Sequence, residues 1–328
     1  MAATRWGIIS AGRISSDFAT CLTHLPDNEH IVTAVAARNL DDANAFAKRF
    51  NIPKTYGSYD EIADDNNIDV YYIGTIHPTH HPIALNLINK GKNVLCEKPL
   101  CMNVKETKEL VEAARKNKVF LMEGFWSRFF PVYEELRSEL KAGSIGTPVV
   151  LTCTAGINAP NVPRLRERAL GGSSLLDLGC YLIQLALLVF GEKPIKITAS
   201  GHLFESGVDS LASYTLLFKN GGAANLLSTC TVEMKNVGRI FGTKGSIEFP
   251  KFHAPTEIET PSGKKSFDLP NISKPMNFPN STGFCYEAQA VREALLQGKT
   301  EHELMPLNDT ISIAEIMEEI LAQIGVTY

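Results

Sequence analysis

Lys98 sits within Glu97-Lys98-Pro99, at the end of the apolar stretch Asn93-Val94-Leu95-Cys96. Tyr181 ends the run Gly171-Gly172-Ser173-Ser174-Leu175-Leu176-Asp177-Leu178-Gly179-Cys180-Tyr181. An ammonium and a phenol are the groups needed to move a proton to or from an alcohol oxygen while hydride leaves the carbon. A phenol with its ordinary pKa of about 10 is a poor base near neutrality. A neighbouring ammonium favours the phenolate and lowers that value. Asp177 stands four residues before Tyr181, the spacing of one helical face, where it can orient the lysine or bind a second hydroxyl. Glu97 reads as a strand-end carboxylate that anchors Lys98. The candidate catalytic set is Lys98, Asp177 and Tyr181.

The elements that must position these groups fall into two patterns. From Trp6 to Glu123, short apolar strands (Trp6 to Ile9, Ile31 to Ala37, Val70 to Ile73, Val94 to Cys96, Val119 to Met122) alternate with amphipathic helices. One helix carries Phe18, Cys21, Leu22 and Leu25 on a stripe, and another runs from Leu40 to Phe50. Asn103-x-x-Glu106 has the form of a capping box. This alternation predicts an α/β Rossmann domain, a doubly wound parallel sheet, over residues 1–123. Beyond it, Pro148 to Cys153, Ile195 to Leu203, Ala212 to Phe218, Ala223 to Met234 and Arg239 to Phe249 read as strands. Asn220-Gly221 and Pro261-Ser262-Gly263 read as turns between them. With helices near 174–190, 284–298 and 308–324, residues 124–328 are expected to form an α+β domain with a mostly antiparallel, open-faced sheet. Such a sheet leaves one face for water or a partner, here a second copy. Leu226, Val232, Met234 and Ile240 are assigned to that face.

The first strand ends in Ser10-Ala11-Gly12-Arg13-Ile14-Ser15, where a dinucleotide-binding sheet places its glycine-rich turn. Only the middle glycine is kept, the one that lets the backbone approach a pyrophosphate at the helix N-terminus. The second strand ends in Val35-Ala36-Ala37-Arg38-Asn39 without the acid that binds the ribose 2′-hydroxyl of NAD. Arg38 can pair with a 2′-phosphate, which points to NADP; the plainer reading is a solvated arginine at a helix start. Gly74-Thr75-Ile76-His77-Pro78-Thr79-His80-His81 follows a later strand, and its loop is expected under the nicotinamide ribose. Thr75, His77 and His80 join the cofactor set with Ser10, Gly12, Arg13, Ile14, Arg38, Glu97 and Lys98. No cysteine or carboxylate joins the three histidines at ligand spacing, so they read as hydrogen-bonding or surface residues and no metal is expected.

Composition narrows the class. The chain has 328 residues, 44% of them apolar, and a net charge of −4, which gives no electrostatic reason to expect nucleic acid or an anionic membrane. Seven scattered cysteines without a C-x-x-C pair read as reduced thiols. The first residues run straight into a strand with no leader pattern, and the longest apolar run, Leu182 to Phe190, is too short to span a bilayer. The expectation is a cytoplasmic enzyme.

The first βα turn, Thr75 with His80, Glu97-Lys98-Pro99, the 171–181 run and Gly242-Thr243-Lys244-Gly245-Ser246 together resemble the glucose–fructose oxidoreductase/inositol dehydrogenase family across essentially the whole chain. Many members carry histidine where this chain has Tyr181. Arg5-Trp6-Gly7-Ile8, Phe120-Leu121-Met122-Glu123 and Trp126-x-Arg128-Phe129-Phe130-Pro131 are similar to a dimeric branch that uses tyrosine. The resemblance implies NADP-dependent oxidation of a vicinal diol or a cyclic sugar such as D-xylose, by a homodimer. Trp126, Phe129 and Phe278 are candidates for an apolar wall against the substrate, with core packing as the alternative. Two departures leave the substrate open: Ala155-Gly156-Ile157-Asn158-Ala159-Pro160 lacks the aromatic residue placed there in similar enzymes, and His253 stands where tryptophan is expected in the pocket. A dedicated sugar dehydrogenase and an NADP-sensing regulatory protein are the other readings.

Overall fold

A computed structural model describes residues 2–328, which divide into two compact units. The first holds the chain up to Cys101 with Lys105–Phe129 and Leu269–Leu307. The second holds Met102–Val104, Phe130–Asp268 and Asn308–Tyr328.

In the first unit, β1 (Thr4–Ile9), β2 (His30–Ala36), β3 (Lys54–Tyr56), β4 (Val70–Ile73), β5 (Asn93–Glu97) and β6 (Leu121–Gly124) form a six-stranded sheet in the order β3-β2-β1-β4-β5-β6. Every pair is parallel. The intervening helices are α1 (Arg13–Leu22), α2 (Leu40–Phe50), α3 (Tyr59–Ile62), α4 (His77–Asn89) and α5 (Val104–Asn117). A parallel sheet covered on both faces needs strands that are apolar throughout, and Trp6, Ile8, Ile9, Val70, Tyr71, Tyr72 and Ile73 are all buried. The strand order reverses between β1 and β4, which creates a crevice at the carboxyl ends of the strands. Phe18, on the expected stripe of α1, stacks on Tyr72 of β4 with ring centroids 3.9 Å apart.

The second unit contains α6 (Pro131–Ala142), β7 (Pro148–Gly156), α7 (Pro163–Arg166), a π-helical turn at Leu175–Gly179 and α8 (Cys180–Phe190). Strands β8 (Lys196–Leu203), β9 (Asp209–Leu217), β10 (Ala223–Thr229), β11 (Val237–Gly242), β12 (Ser246–Pro250), β13 (Glu257–Thr260) and β14 (Gly263–Ser266) follow. The chain then gives α9 (Phe284–Leu296), which belongs to the first unit, and α10 (Leu307–Gln323). The eight strands lie in the order β14-β13-β12-β11-β7-β10-β9-β8. Only β7 and β10 pair in parallel. Arg168–Phe190 is apolar enough in composition to cross a membrane, but 83% of that window is buried within the protein, as in a core helix. All seven cysteines are free and buried.

Three expectations change. Arg239 to Phe249 is a hairpin rather than one strand: Gly242 N–H donates to Gly245 O at 2.8 Å and Lys244 N–H to Ile145 O at 2.8 Å, closing a turn. β10 stops at Thr229, short of Met234. Leu226 and Ile240 are buried rather than on the open face, because successive residues of a strand alternate sides. Their neighbours Leu227 and Phe241 take the other side; Phe241 pairs with Val150, and Ala223 lies between Val150 and Leu217. Leu217 and Phe241 are exposed large apolar residues, as is Val232 at 52%.

Candidate active site

The candidate cofactor residues lie in the first unit. Ser10 follows β1 with φ 105, a conformation that favours glycine. Its hydroxyl offsets part of that cost by accepting the Gly12 N–H at 3.0 Å. Gly12 is the N-cap of α1, which has no side-chain cap and no acidic residue in its first turn, so its first amides remain open for an anion. At the end of β4, a Cβ on Gly74 would stand 2.4 Å from Ser15 Oγ. Ser15 Oγ and Thr75 Oγ1 are buried and have no hydrogen-bond partner among the described residues. Open amides, a glycine approach and two orphaned hydroxyls at the crevice are features a dinucleotide satisfies. Beside them a cleft of ≈ 420 Å³ is lined by Ser10, Gly12, Ala37 and Arg38.

Arg49, Asp42, Phe46 and Tyr59 line the same cleft. None of the four was selected from the sequence, although 42, 46 and 49 share the helical spacing i, i+4, i+7 on α2. Arg49 lies over the rings of Phe50 and Phe46, 4.5 and 5.3 Å from their centroids. Arg13 donates to Asn277 O at 3.2 Å and lies 4.8 Å over the Phe278 ring. Asp17, buried in α1, holds that strap: its carboxylate accepts Asn277 N–H at 2.8 Å, Phe278 N–H at 3.0 Å and Ser281 Oγ–H at 2.7 Å. Phe278 therefore stands next to the turn that follows β1. Trp126 packs on Phe284, 4.5 Å between centroids, and is almost wholly buried. Phe129 meets His302 edge to face at 5.0 Å.

Glu97-Lys98-Pro99 is braced from below. The buried Glu97 carboxylate accepts Tyr72 Oη–H at 2.8 Å. Glu123 Oε1 accepts Leu100 N–H at 2.9 Å. His80 is fully buried, with Nδ1 2.9 Å from Pro99 O and Nε2 3.2 Å from Thr75 O. It thus ties the 74–81 loop to the turn after Lys98, and both ring nitrogens face backbone carbonyls. Burial, with Lys98 nearby, lowers its pKa. His77 packs edge to face on His80 at 5.9 Å, and His81 pairs with Glu109 at 3.0 Å. Near Glu97, the buried Glu287 has neither carboxyl oxygen hydrogen-bonded among the described residues. Burial first, then the Glu97 charge, raises its pKa well above the usual range.

Asp177 and Tyr181 lie in the second unit. Asp177 is in the π-helical turn and Tyr181 is the second residue of α8, so the simple i, i+4 face is modified by one wide turn. Gly179 permits that turn, since a Cβ there would meet Leu175 Cδ1 at 2.6 Å and Tyr214 Oη at 2.9 Å. Asp209 on β9 anchors the start: it accepts Ser174 Oγ–H at 2.7 Å, Ser173 Oγ–H at 2.5 Å and Leu175 N–H at 2.8 Å. Tyr328 Oη donates to Gly172 O beside it. Asp177 Oδ1 accepts from Arg164 Nη1 at 2.9 Å, a partner the sequence did not disclose. Tyr181 meets the His253 ring edge to face, 6.0 Å between centroids.

These features match a known class. Residues 4–125 match the model of the oxidoreductase family with an NAD-binding Rossmann fold, and residues 133–248 the C-terminal domain of the glucose–fructose oxidoreductase/inositol dehydrogenase/MocA proteins. The chain belongs to this family. It is 49% identical over 328 residues to the trans-1,2-dihydrobenzene-1,2-diol dehydrogenase of Xenopus tropicalis, covering 99% of each chain. It is 43% identical to the human enzyme of that name, covering 99% of this chain and 98% of the other. Among solved structures, a levoglucosan dehydrogenase with NADH and levoglucosan superposes with TM-score 0.86 at 21% identity, covering 98% and 97% of the two chains. A 3-ketoreductase from Actinomadura kijaniata with NADP and TDP-benzene superposes with TM-score 0.83 at 24% identity over 99% of each. At those identities the likeness is one of fold.

His80 gives a pH test. Its folded pKa lies below the unfolded value of about 6.5, so on acidification the unfolded chain binds the proton first and this group's contribution to stability declines as pH falls through that value. The loss of urea resistance between pH 7 and pH 5 is expected to be smaller in His80→Asn than in the parent. Identical pH slopes would show that His80 is not held neutral.

Proposed function

We propose that this protein is an NADP-dependent dehydrogenase that oxidises a vicinal diol or a cyclic sugar, with trans-1,2-dihydrobenzene-1,2-diol and D-xylose as the leading substrates. Its full-length identity to the dihydrodiol dehydrogenases carries the reading, together with the presence of Lys98, Asp177 and Tyr181 in this chain. A nicotinamide cofactor, when bound, would supply the acceptor for the hydride of the carbinol carbon. Tyr181, as phenolate, takes the hydroxyl proton, so the alcohol leaves as a carbonyl compound. Lys98 supplies the positive field that favours the phenolate and donates a hydrogen bond to the reacting oxygen. Asp177 orients the substrate through a neighbouring hydroxyl. Ser10, Gly12, Arg13 and Ile14 offer backbone and side-chain donors to the pyrophosphate, Ser15 and Thr75 offer hydroxyls, and Arg38 pairs with the 2′-phosphate. The active molecule is a homodimer joined through the open sheet face that carries Val150, Leu217, Leu227 and Phe241, since exposed apolar residues on one sheet face favour a partner.

Tyr181→Phe removes one oxygen, and the fold and NADP+ affinity should survive. Its kcat should fall by about 100- to 10,000-fold, the usual cost of a lost general acid/base; near-parental turnover with both substrates would place the proton transfer elsewhere. Arg38→Ala should raise KM for NADP+ with little change for NAD+, whereas equal losses would deny that Arg38 reads the phosphate. Light scattering at micromolar concentration should return the dimer mass, and a monomer mass would contradict the assembly.

A further inference from the structure

Two of the seven buried cysteines meet where α1 packs on α9, within the first unit. Phe18 and Phe284 set that contact edge to face, 5.5 Å between centroids, and each is followed closely by a cysteine: Cys21 on α1, Cys285 on α9. Cys285 Sγ–H donates to Cys21 O at 3.9 Å, while Cys21 Sγ–H donates to Ser281 O at 3.3 Å and reaches Thr282 O at 3.6 Å. Each sulfur therefore lies against the stretch of chain that carries the other. Their environments are unequal. Cys21 is wholly buried and Cys285 is 4% exposed. A hydrogen bond between the thiols, then burial, pushes the Cys21 thiol up, and the same hydrogen bond holds the Cys285 thiol below its ordinary value. Cys96, Cys101, Cys153 and Cys230 are instead all raised, in each case first by burial.

We propose that Cys285 and Cys21 form a peroxide-reactive thiol pair, Cys285 the attacking sulfur and Cys21 the resolving one, whose disulfide fastens α9 and the 277–283 segment to α1. The thiolate is the reactive form of cysteine, and Cys285 is the thiol whose neighbour favours it. Its sulfur takes one oxygen from hydrogen peroxide, becoming a sulfenic acid and releasing hydroxide. That hydroxide and the proton Cys285 gave up on ionising make one water. The Cys21 sulfur then attacks Cys285 Sγ: the S–S bond forms, the S–O bond breaks, and the Cys21 proton leaves with the hydroxyl as a second water. Two thiols are thereby oxidised by two electrons and one peroxide is reduced. The bond joins residues 264 apart. It also takes the Cys21 donor from Ser281, whose own hydroxyl donates to Asp17 at 2.7 Å. Asp17 holds Asn277 and Phe278 beside the turn after β1, so the pair acts on a segment next to the candidate cofactor residues. Neither thiol has a step in the proposed dehydrogenation, so this chemistry does not depend on that reading.

The test treats the folded full chain with hydrogen peroxide, unfolds it in an alkylating agent and maps its peptides by mass spectrometry. The count of alkylated thiols, seven before treatment, should fall by two. A peptide containing Cys21 should be found joined to one containing Cys285, and dithiothreitol should release both. Cys153 and Cys230 should stay open to alkylation. Cys21→Ser should stop at the sulfenic acid of Cys285, captured by a 1,3-diketone probe, and Cys285→Ser should leave Cys21 reduced. The parent map needs no variant, so it decides the matter even where a substitution prevents folding. Both thiols surviving peroxide, or Cys153 and Cys230 lost as fast as Cys285, would make the pair ordinary core side chains and overturn the proposal. Cys285 carried on to the sulfinic acid without a crosslink would remove the resolving role of Cys21 and overturn it as well. Because the bond closes so long a loop, the oxidised protein should unfold at a higher urea concentration than the reduced one; an equal or lower midpoint contradicts the fastening of α9 to α1.

Discussion

The carboxylate of Asp209 is completely buried, and it is the acceptor for two serine hydroxyls and the Leu175 amide at the start of the helix that carries Asp177 and Tyr181. A buried carboxylate is tolerated only when its lone pairs are filled, and the first amides of a helix need an acceptor. Each requirement is met by the other, which fixes where the helix begins. The wide turn at 175–179 and the packing of Gly179 against Tyr214 then decide which way Asp177 and Tyr181 face. Removing the anchor would leave orphaned donors in the core rather than a merely looser loop.

The same device recurs in the Rossmann unit. Asp17 reaches from α1 to hold the 277–281 strap, so a segment far away in sequence is fixed beside the turn after β1. Glu123 holds the amide after Pro99, and His80 spans from that turn to the Thr75 loop. Lys98 is presented on a strand end whose neighbours are fixed by buried polar contacts. Precise placement of catalytic groups requires such support, because a small displacement costs orders of magnitude in rate.

Much of the fold was legible because it depends on local periodicity. The βαβ alternation, the glycine turn at the first strand and the antiparallel half were all readable, and so were Lys98, Asp177 and Tyr181 as residue types suited to one reaction. What escaped depends on partners remote in sequence. Nothing local marks Arg164 as the partner of Asp177, Asp17 as the clamp of Asn277, or Leu269–Leu307 as part of the first unit. Leu226 and Ile240 were put on the wrong sheet face because hydrophobicity alone does not say which register of alternation is buried; their neighbours on the other side, the half-buried Leu227 and the exposed Phe241, are apolar as well. The stretch written as one strand from Arg239 to Phe249 is broken at Gly242-Thr243-Lys244-Gly245-Ser246, the run that the family resemblance had marked as a small turn. Arg49 was missed for a simpler reason, since its place in the cleft follows from the third turn of α2 rather than from the glycine motif.

The central claim is direct hydride transfer from substrate carbon to nicotinamide, assisted by Lys98 and Tyr181. It is tested most directly by turning over D-xylose deuterated at C1, and dihydrodiol deuterated at its carbinol carbons, with NADP+ and examining the reduced cofactor by mass spectrometry. One deuterium in each reduced nicotinamide, formed much more slowly by Lys98→Met, is the expected result. NADP+ bound tightly with no deuterium transferred from either compound would contradict the account and leave a cofactor-sensing protein in its place.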